Sequence, residues 1–432
     1  MNKLAINGGK PVREKLFPAH NFIGDEEKKA VMAVLDTGNL SQFIGCWHED
    51  FFGGPRVREF EKAWAEKFET RHAVSVNSNT SGLVAAIGAA GVGPGDEVIV
   101  PPYTMAASAT AILAYGGVPV FCDIEEETFC LDPVQVRAKI TPRTKALMVV
   151  HIMGHPAEMD EILKIAREHQ LVVIEDAAQA PGAYYKGRIL GGLGDMTVFS
   201  LNYHKHIHTG EGGVVTTNSD DFAERLQLIR NHGEAVVRDK GVKNLVNTFG
   251  FNLRPTEISA AIGTAQLAKL PRLLDRRIEN ANFLNDRLRE LPGIRPPVVK
   301  EGCKHVYYVQ AFMFDEKVVG VPRDRFVDAV AAELPLPEDR QWPLIFSGYA
   351  DPLYLLPMYQ QKVACGSQGF PFTAAAGPVN YGAGLCPVTE SIERRLIGTE
   401  FMRPPCTLDD MADVVSAFTK VYENLSELKP TA

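Results

Sequence analysis

The sequence predicts an α/β protein in which a large domain with a mostly parallel seven-stranded sheet is followed by a smaller C-terminal α/β domain. Seven short apolar runs lie between residues 73 and 217, and helical patterns separate most of them. That alternation is typical of a parallel sheet covered on both faces. Polar residues follow the ends of several runs, where ligands of such sheets bind. We place the larger domain at residues 1–280 and the smaller one at 281–432.

The first predicted helices cover residues 25–35 and 55–68. In the second helix apolar side chains recur at helical spacing, and Pro55 sits in the first turn, where a proline is tolerated. Further helices are predicted at 81–90, 106–115, 133–140 and 158–169. The seven strands are predicted at 73–77, 97–100, 118–123, 146–151, 171–175, 197–200 and 214–217.

A long helical stretch, residues 256–291, leads towards the smaller domain and precedes Pro292-Gly293. Beyond it we predict a strand at 305–312 and helices at 323–333 and 408–425. Residues 366–384 are rich in glycine, proline and alanine, so a loop is predicted there.

The composition excludes several classes of protein. Of the 432 residues 45% are hydrophobic, and 45 basic against 53 acidic residues give a net charge of −8. No basic cluster and no apolar run of membrane-spanning length stands out, so neither nucleic acid nor a membrane is an expected partner. Seven widely spaced cysteines without a Cys-x-x-Cys pair, and an N-terminus without an apolar leader, predict a reduced cytoplasmic protein.

Lys205 is the residue that gives the most information about the chemistry of this protein. It follows a strand-like run ending at Ser200 and precedes a glycine-rich turn, Gly210-Glu-Gly-Gly213. A lysine amine in such a place can hold an aldehyde cofactor covalently and later carry a proton. Most lysines are solvated surface residues, but an acidic pair at the end of another strand, Glu175-Asp176, favours pyridoxal phosphate (PLP) chemistry.

Asp176 is the candidate partner of the cofactor ring. A PLP ring draws electrons best when its nitrogen is protonated, and a carboxylate beside that nitrogen keeps the proton in place. An aspartate at this point can also cap the next helix. A helix cap at Asp176 would assign no role to Gln179. Gln179 lies three residues further on and could reach the ring oxygen of the cofactor.

The turn Asn77-Ser-Asn-Thr-Ser-Gly82 joins a predicted strand to a helix. Backbone amides and hydroxyls at the N-terminus of a helix form a site for a phosphate group. Read alone, the turn is as well explained by N-capping. Together with Lys205 and Asp176 it favours a phosphate site.

Other candidate residues carry weaker signals. His204, His206 and His208 surround Lys205 without matching carboxylates or cysteines, so no metal site is predicted. No Gly-x-Gly-x-x-Gly fingerprint and no Gly-x4-Gly-Lys loop supports NAD or ATP binding. Candidate substrate contacts, each with an ordinary packing or surface role as the alternative, are His151, His206, Arg238 and Tyr307.

The chain from about Pro18 onwards resembles the DegT/DnrJ/EryC1/StrS family of PLP-dependent sugar aminotransferases. The matching stretches are Gly54-Pro-Arg-Val-Arg-Glu-Phe-Glu61, Gly93-Pro-Gly-Asp-Glu-Val98, Glu175-Asp-Ala-Ala-Gln179, Ser200-x4-Lys205, Gly210-Glu-Gly-Gly213 and Gly250-Phe-Asn-Leu-Arg-x-Thr-Glu257. The resemblance implies the aspartate-aminotransferase fold, known as fold type I.

The resemblance also implies a role for each matching residue. Lys205 would bind PLP covalently, Asp176 would hold the ring nitrogen and Gln179 the ring hydroxyl. The implied phosphate ligands are Asn79, Thr80 and Ser200. Asn252 is similar to an asparagine that reaches the phosphate from the neighbouring subunit, which implies a homodimer with shared active sites.

The chain departs from the family at the face of the cofactor ring. Family members usually have an aromatic residue after the threonine of the Pro-x-x-Thr motif, where it stacks on the ring. Here Met105 occupies that position and an aromatic residue, Tyr103, comes two residues earlier. The phosphate turn has Asn79 where glycine is common. Residues 41–52 form a longer connection than usual, and they are predicted equally to shape the substrate entrance or to lie in a subunit interface.

These observations together predict a PLP-dependent aminotransferase that moves an amino group from glutamate or glutamine to a keto- or aldehydo-sugar. Its product would serve lipopolysaccharide, O-antigen or secondary-metabolite biosynthesis. Candidate acceptors are a nucleotide-linked keto-sugar, a cyclitol ketone, or an oxidised 3-deoxy-octulosonate that would yield an 8-amino-3,8-dideoxy-manno-octulosonate. The alternatives are a PLP-dependent sugar dehydratase of the same fold, whose known members replace the lysine by histidine, and a non-enzymatic sugar-sensing regulator.

Overall fold

The computed structural model describes residues 3–375, 377 and 379–429. Its strands, in chain order, are β1 (His72–Val76), β2 (Glu97–Val100), β3 (Val118–Phe121), β4 (Thr144–Val150), β5 (Val172–Asp176), β6 (Tyr184–Tyr185), β7 (Arg188–Ile189), β8 (Met196–Ser200), β9 (Gly213–Thr217), β10 (Ile294–Arg295), β11 (Cys303–Lys304), β12 (Gln310–Phe314), β13 (Ile345–Ser347) and β14 (Leu396–Thr399). Seven of them form a central sheet in the order β1-β9-β8-β5-β4-β2-β3. The neighbours from β3 to β8 run parallel, whereas β9 is antiparallel to both β8 and β1. The predicted α/β class and mostly parallel seven-stranded sheet are confirmed.

Helices cover both faces of this sheet. They are α1 (Asp25–Leu35), α2 (Pro55–Lys67), α3 (Asn79–Ala89), α4 (Ala107–Leu113), α5 (Pro133–Lys139), α6 (Met159–His169), α7 (Asp220–Arg230), α8 (Val237–Lys240), α9 (Glu257–Leu288), α10 (Glu316–Val319), α11 (Arg323–Glu333), α12 (Pro357–Gln360), α13 (Pro387–Arg395) and α14 (Leu408–Glu423). None of the described helices is both long and apolar enough to span a bilayer.

The apolar stripe of α2 fixes the end of strand β8. Trp64 is fully buried, stacks on Phe68 with ring centroids 4.8 Å apart, and meets Phe199 of β8 edge-on at 5.4 Å. Burying an aromatic side chain of this size contributes roughly 2 to 3 kcal/mol. Because Phe199 is held between these rings, the next residue, Ser200, has a defined position at the carboxyl end of the sheet.

The opposite face is covered by α3, which packs closely on the same strand. A Cβ atom added to Gly82 of α3 would lie 2.6 Å from Cγ1 of Val198 in β8. Only glycine therefore allows this approach, which brings the N-terminus of α3 to the end of β8.

The smaller domain contains an antiparallel sheet in the order β10-β12-β14-β13. Phe312, Phe326 and Phe418 pack between this sheet and helices α11 and α14. The same core also buries Leu4 and Phe17 near the N-terminus. The long helix α9 crosses the predicted division at 280/281 and ends at Leu288, so one continuous helix runs through the predicted boundary. The position of the boundary stays a prediction.

The described residues between 353 and 386 pack back against the large sheet. Tyr354, Tyr359 and Tyr381 surround Phe121 of strand β3, which lies at the edge of the sheet. The hydroxyl of Tyr381 donates to the carbonyl oxygen of Pro119 in the same strand at 2.7 Å. The described part of the predicted loop at 366–384 contains a 3-10 turn, Phe372–Ala374, and otherwise no helix or strand.

Candidate active site

A cavity of about 170 Å³ opens at the carboxyl ends of the parallel strands. The sheet brings together the polar residues at the ends of β5 and β8, the N-terminus of α3, and the segment after β8. We call it the cofactor cavity; its lining includes Ser78, Asn79, Thr80, Thr104, Met105, Asp176, Gln179, Ser200, Asn202, His204, Lys205 and Glu211. Seven of the residues predicted from the sequence to bind or hold a cofactor therefore share one cavity.

Lys205 is buried, with 9% of its surface exposed. Its ammonium nitrogen lies 4.2 Å from the centroid of the Tyr308 ring. Burial lowers the pKa of Lys205 to about 8, although the negative charge of Asp176 opposes the shift. A lysine with such a pKa has an appreciable fraction of uncharged amine near neutral pH, as a nucleophile requires.

Asp176 is held in place by neutral hydrogen-bond donors. Its Oδ2 accepts a hydrogen bond from the Ser108 hydroxyl at 2.8 Å, and its Oδ1 accepts one from the backbone N–H of Ala178 at 3.2 Å. The Ser108 hydroxyl also lies 3.1 Å from that of Thr104. Because no cation is within salt-bridge distance among the described residues, the carboxylate can pair with a protonated ring nitrogen. No sequence motif indicated Ser108; its four-residue spacing from Thr104 was the available signal.

A second buried carboxylate supports the strand beneath Asp176. Glu175 accepts hydrogen bonds from His151 at 2.8 Å, from the backbone of Gly194 at 2.7 Å and from the Thr197 hydroxyl at 2.7 Å. Burial alone would raise the pKa of Glu175, but these hydrogen bonds outweigh it and leave the pKa below its ordinary value. The backbone N–H of Ala157 donates to Nδ1 of His151 at 3.1 Å, which assigns the ring proton to Nε2. His151 itself is fully buried and does not line the cofactor cavity.

The phosphate end of the cavity is formed by the first turn of α3. Ser78 caps this helix by accepting a hydrogen bond from the N–H of Ser81, whereas the N–H groups of Asn79 and Thr80 have no acceptor among the described residues. A Cβ atom at Gly213 would lie 2.7 Å from the carbonyl carbon of Ser78, so glycine is required where β9 passes this turn. Free N–H groups at a helix N-terminus are the usual protein ligands of a phosphate.

Gln179 connects the cavity to the smaller domain. Its Oε1 accepts a hydrogen bond from the backbone of Met153 at 2.6 Å, and its Nε2 donates to the Tyr349 hydroxyl at 2.7 Å. With Oε1 occupied, the second N–H of the side-chain amide is the group left to bind a ligand oxygen.

Met105 lines the cofactor cavity and is 62% exposed. Tyr103 is fully buried and its ring packs against Tyr349 with centroids 5.9 Å apart. Of the two residues considered for the face of the ring, only Met105 is at the cavity in this chain.

The remaining candidates lie elsewhere. His206 is buried and contacts the carbonyl oxygen of Val306, whereas Arg238 is exposed and pairs with Asp239. Tyr307 stacks on His305 with centroids 4.0 Å apart, away from the cavity. Asn252 is exposed, and its Oδ1 accepts a hydrogen bond from Arg254. A role for Asn252 in a neighbouring subunit stays a prediction.

A second cavity of about 330 Å³ adjoins the first, and His204 lines both. We call it the charged cavity because two arginines and two carboxylates line it together with aromatic rings: His20, Tyr203, His204, Tyr308, Asp339, Arg340, Trp342, Phe346, Glu400 and Arg403. No sequence motif indicated Arg340, Glu400 or Arg403, because these residues come together only in the folded chain.

His204 has a defined protonation state between the two cavities. The hydroxyl of Tyr308 lies 2.7 Å from Nδ1 of His204. Burial raises the pKa of Tyr308, whereas burial and the charge of Lys205 lower the pKa of His204 to about 4. The phenol therefore donates to Nδ1, and the neutral imidazole carries its proton on Nε2.

The residues of the cofactor cavity fit PLP. A buried lysine with a lowered pKa suits the aldehyde, a carboxylate held by neutral donors suits the ring nitrogen, and a helix N-terminus with free N–H groups suits the phosphate. Among the described residues no group of three or more metal-ligating side chains comes together.

Comparison with known proteins gives consistent results. Residues 23–378 match the model of the DegT/DnrJ/EryC1/StrS aminotransferase family. The GDP-perosamine synthase of Caulobacter vibrioides is 38% identical over 81% of this chain and 91% of that protein. An L-glutamine:2-deoxy-scyllo-inosose aminotransferase of Micromonospora echinospora is 34% identical over 99% of this chain and all of that protein.

Solved structures show the same architecture. An aminotransferase from Psychrobacter cryohalolentis is 29% identical, covers 95% of this chain and 100% of its own, and superposes with a TM-score of 0.80. The structure of DesI in the presence of its TDP-sugar product is 28% identical, covers 98% of this chain and 97% of its own, and has a TM-score of 0.81.

Proposed function

The chain belongs to the DegT/DnrJ/EryC1/StrS aminotransferase family, and from this premise we propose that it transfers an amino group from glutamate or glutamine to the carbonyl carbon of a sugar. It is a PLP-dependent aminotransferase with the fold of that family. The family and fold fix the cofactor and the type of reaction. The donor, the acceptor and the roles of individual residues are the proposal.

One observation carries the assignment of residues. Lys205 and Asp176 lie in one cavity, where burial lowers the pKa of the lysine to about 8 and Ser108 holds the carboxylate. When bound, PLP supplies an aldehyde that accepts the amino group and a ring that takes up electrons.

Each residue of the chain then has a definite task. Lys205 holds the cofactor and afterwards moves a proton between the two carbon atoms that exchange the amino group. Asp176 keeps the ring nitrogen protonated. The phosphate is bound by Asn79, Thr80 and Ser200, and the ring oxygen by the amide of Gln179.

We propose that the acceptor is a keto-sugar, an aldehydo-sugar or a cyclitol ketone. A relative named for perosamine supports a sugar, and a relative named for 2-deoxy-scyllo-inosose supports a cyclitol with glutamine as the donor. The nucleotide-linked keto-sugar and the oxidised 3-deoxy-octulosonate remain the two sugar candidates. We propose amino-sugar biosynthesis, for lipopolysaccharide or a secondary metabolite, as the setting.

We also propose a cytoplasmic homodimer. All seven cysteines are free, which suits a reducing compartment. The exposed apolar side chains Leu245, Val246 and Phe249 precede Asn252, and apolar residues grouped in this way are typical of a subunit interface. Asn252 would then complete the phosphate site of the partner.

Visible spectroscopy tests the proposed reaction. The purified protein with PLP should show the absorption band of the lysine-bound cofactor, and glutamate or glutamine should remove it. Addition of the correct keto-sugar should restore it. Lys205→Ala should lack the band, whereas Lys164→Ala, which changes an exposed lysine of α6, should retain it.

An unchanged band in Lys205→Ala would overturn the assignment of the lysine. Loss of a sugar hydroxyl without consumption of an amino donor would indicate a dehydratase instead.

A further inference from the structure

The wall of the charged cavity contains two arginines that share one carboxylate. Arg340 donates to Oε2 of Glu400 at 2.6 Å, and Arg403 donates to Oε1 of the same side chain. All three side chains are largely buried. The Nε–H of Arg403 is buried and has no hydrogen-bond partner among the described residues. A buried donor of this kind costs about 1 to 3 kcal/mol unless a ligand or water satisfies it.

The charges around this cavity do not balance. Arg277 lies buried close to Arg403, donates to the carbonyl oxygen of Tyr307, and has no salt-bridge partner among the described residues. Burial, assisted by the charge of Arg403, lowers its pKa to about 9. The two histidines of the lining are uncharged, because burial lowers the pKa of His20 and of His204. In the lining Arg340 and Arg403 balance Asp339 and Glu400, and Arg277, which lies behind the lining, adds one positive charge without a carboxylate partner among the described residues.

The unbalanced charge lies next to the reacting lysine. Tyr308 lines the charged cavity, and its ring is 4.2 Å from the nitrogen of Lys205. The positive charge of Arg403 also contributes to the lowered pKa of Lys205. A group bound in the charged cavity is thus close to the atoms that exchange the amino group.

We propose that the charged cavity binds a carboxylate group of a substrate, with Arg403 as the main donor and Arg340 as the second. The inference deepens the proposed function and rests on it. A planar carboxylate matches the fork of a guanidinium group, and its single negative charge would offset the unpaired charge of Arg277 behind the lining. A diphosphate would bring more negative charge than the cavity can balance and would face Asp339 and Glu400.

Two substrates could supply this carboxylate. Glutamate and glutamine each carry one, and so does a sugar acid of the octulosonate type. In a transamination the donor and the acceptor occupy the same site in turn, so one carboxylate site can serve both half-reactions. The exposed rings of Tyr203 and Trp342, also in the lining, are placed to pack on the rest of a sugar.

Calorimetric binding to the PLP-loaded protein tests the site independently of turnover. The ligands are glutarate, an unreactive dicarboxylate, and gluconate, a sugar acid, with glucose and thymidine diphosphate for comparison. We expect at least one of the two carboxylates to bind and the other two compounds to bind at least about tenfold more weakly, as loss of a charge-assisted hydrogen bond predicts. Preferential binding of the diphosphate or of glucose would overturn the proposal.

Three variants separate a binding role from a structural one. Arg403→Gln should weaken carboxylate binding by about tenfold or more. Glu400→Gln removes the competing carboxylate and should strengthen binding, which general damage to the fold would not do. Arg395→Gln changes a half-exposed arginine of α13 that pairs with Glu126, and it should bind like the wild type. Equal binding by all three variants would contradict the proposal.

The two half-reactions distinguish the sources of the carboxylate. If the donor supplies it, Arg403→Gln raises the glutamate or glutamine concentration needed for half-maximal bleaching of the visible band. If the acceptor supplies it, the variant raises the KM for the keto-sugar. An unchanged requirement in both half-reactions would overturn the site. If the protein forms no band with PLP, the proposed function fails, whereas the glutarate and gluconate measurements still decide whether the charged cavity binds carboxylates.

Discussion

The two neighbouring cavities share His204 but are built in different ways. The residues of the cofactor cavity lie between 78 and 211, at strand ends of one sheet and in the turns that follow them. The charged cavity is lined by His20, Tyr203, His204 and Tyr308, and by the C-terminal segments around 339–346 and 400–403. We therefore expect the large sheet to position most cofactor ligands, and the packing of the C-terminal segments against it to determine the choice of substrate. The following experiments test whether these two tasks are separable.

The largest effect is expected at Lys205. Lys205→Ala removes the group that holds the cofactor and moves the proton, so turnover should fall by about 10⁴-fold. Carboxylate binding in the charged cavity, followed by calorimetry, should change by no more than about twofold, because Lys205 is not among the residues that line that cavity. Loss of carboxylate binding together with turnover would show that the two cavities form a single unit.

Asp176→Asn should have the next largest effect. The amide cannot hold a proton on the ring nitrogen through its charge, and we expect kcat to fall by about 10²- to 10³-fold, as for loss of a preorganised electrostatic group. Ser108→Ala removes one hydrogen bond to the same carboxylate and should lower kcat by about tenfold. Steady-state kinetics measure both, and a Ser108→Ala effect as large as that of Asp176→Asn would argue against the positioning role of Ser108.

The two cavities differ in how far the sequence predicts them, and the reason is physical. Lys205, Asp176 and Ser200 follow apolar runs directly, so the end of a strand predicts their position. Ser108, which holds Asp176, and Arg403, which lies near Lys205 in space, act through contacts between residues 68 and 198 positions apart. The periodicity of apolar residues along the sequence does not indicate which distant residues come close together in the fold.

The same limit applies to the fold. The alternation of strands and helices predicted the central sheet with shifts of one or two residues at the element ends. Strand β14 was not predicted, because its four residues follow helix α13 directly and contain Gly398. It becomes a strand by pairing with β12 and β13, which no local pattern reveals.

The capture of PLP by the unloaded protein should depend on pH through Lys205. The pKa of this lysine is lowered to about 8, and only the uncharged amine attacks the aldehyde. The rate should therefore rise about tenfold per pH unit up to pH 8 and level off above it. Stopped-flow absorbance measures the rate.

Asp176 and Arg403 should shift the midpoint of this pH dependence in opposite directions. Asp176 raises the pKa of Lys205 and Arg403 lowers it. The midpoint should fall in Asp176→Asn and rise in Arg403→Gln. A midpoint that stays the same in Arg403→Gln would separate the charged cavity from Lys205 electrostatically.

The smallest effect is expected at Met105. A phenylalanine at this position replaces a sulfur–aromatic contact with ring stacking, and the two differ by less than about 1 kcal/mol. We expect Met105→Phe to tighten PLP binding by about threefold, measured by equilibrium titration of the visible band. Tyr103→Phe is the matched control, because the Tyr103 hydroxyl is buried without a hydrogen-bond partner among the described residues. An equal change in both variants would show that Met105 does not contact the ring.

The packing of residues 353–386 on strand β3 has a consequence for solubility. An edge strand with unpaired backbone groups is a template on which another chain can add a strand and start aggregation. Here Pro119 lacks a backbone N–H, its carbonyl oxygen accepts a hydrogen bond from Tyr381, and tyrosine rings surround Phe121. We therefore expect these tyrosines, of which Tyr381 belongs to the predicted loop, to hinder the pairing of β3 with a strand of a neighbouring copy.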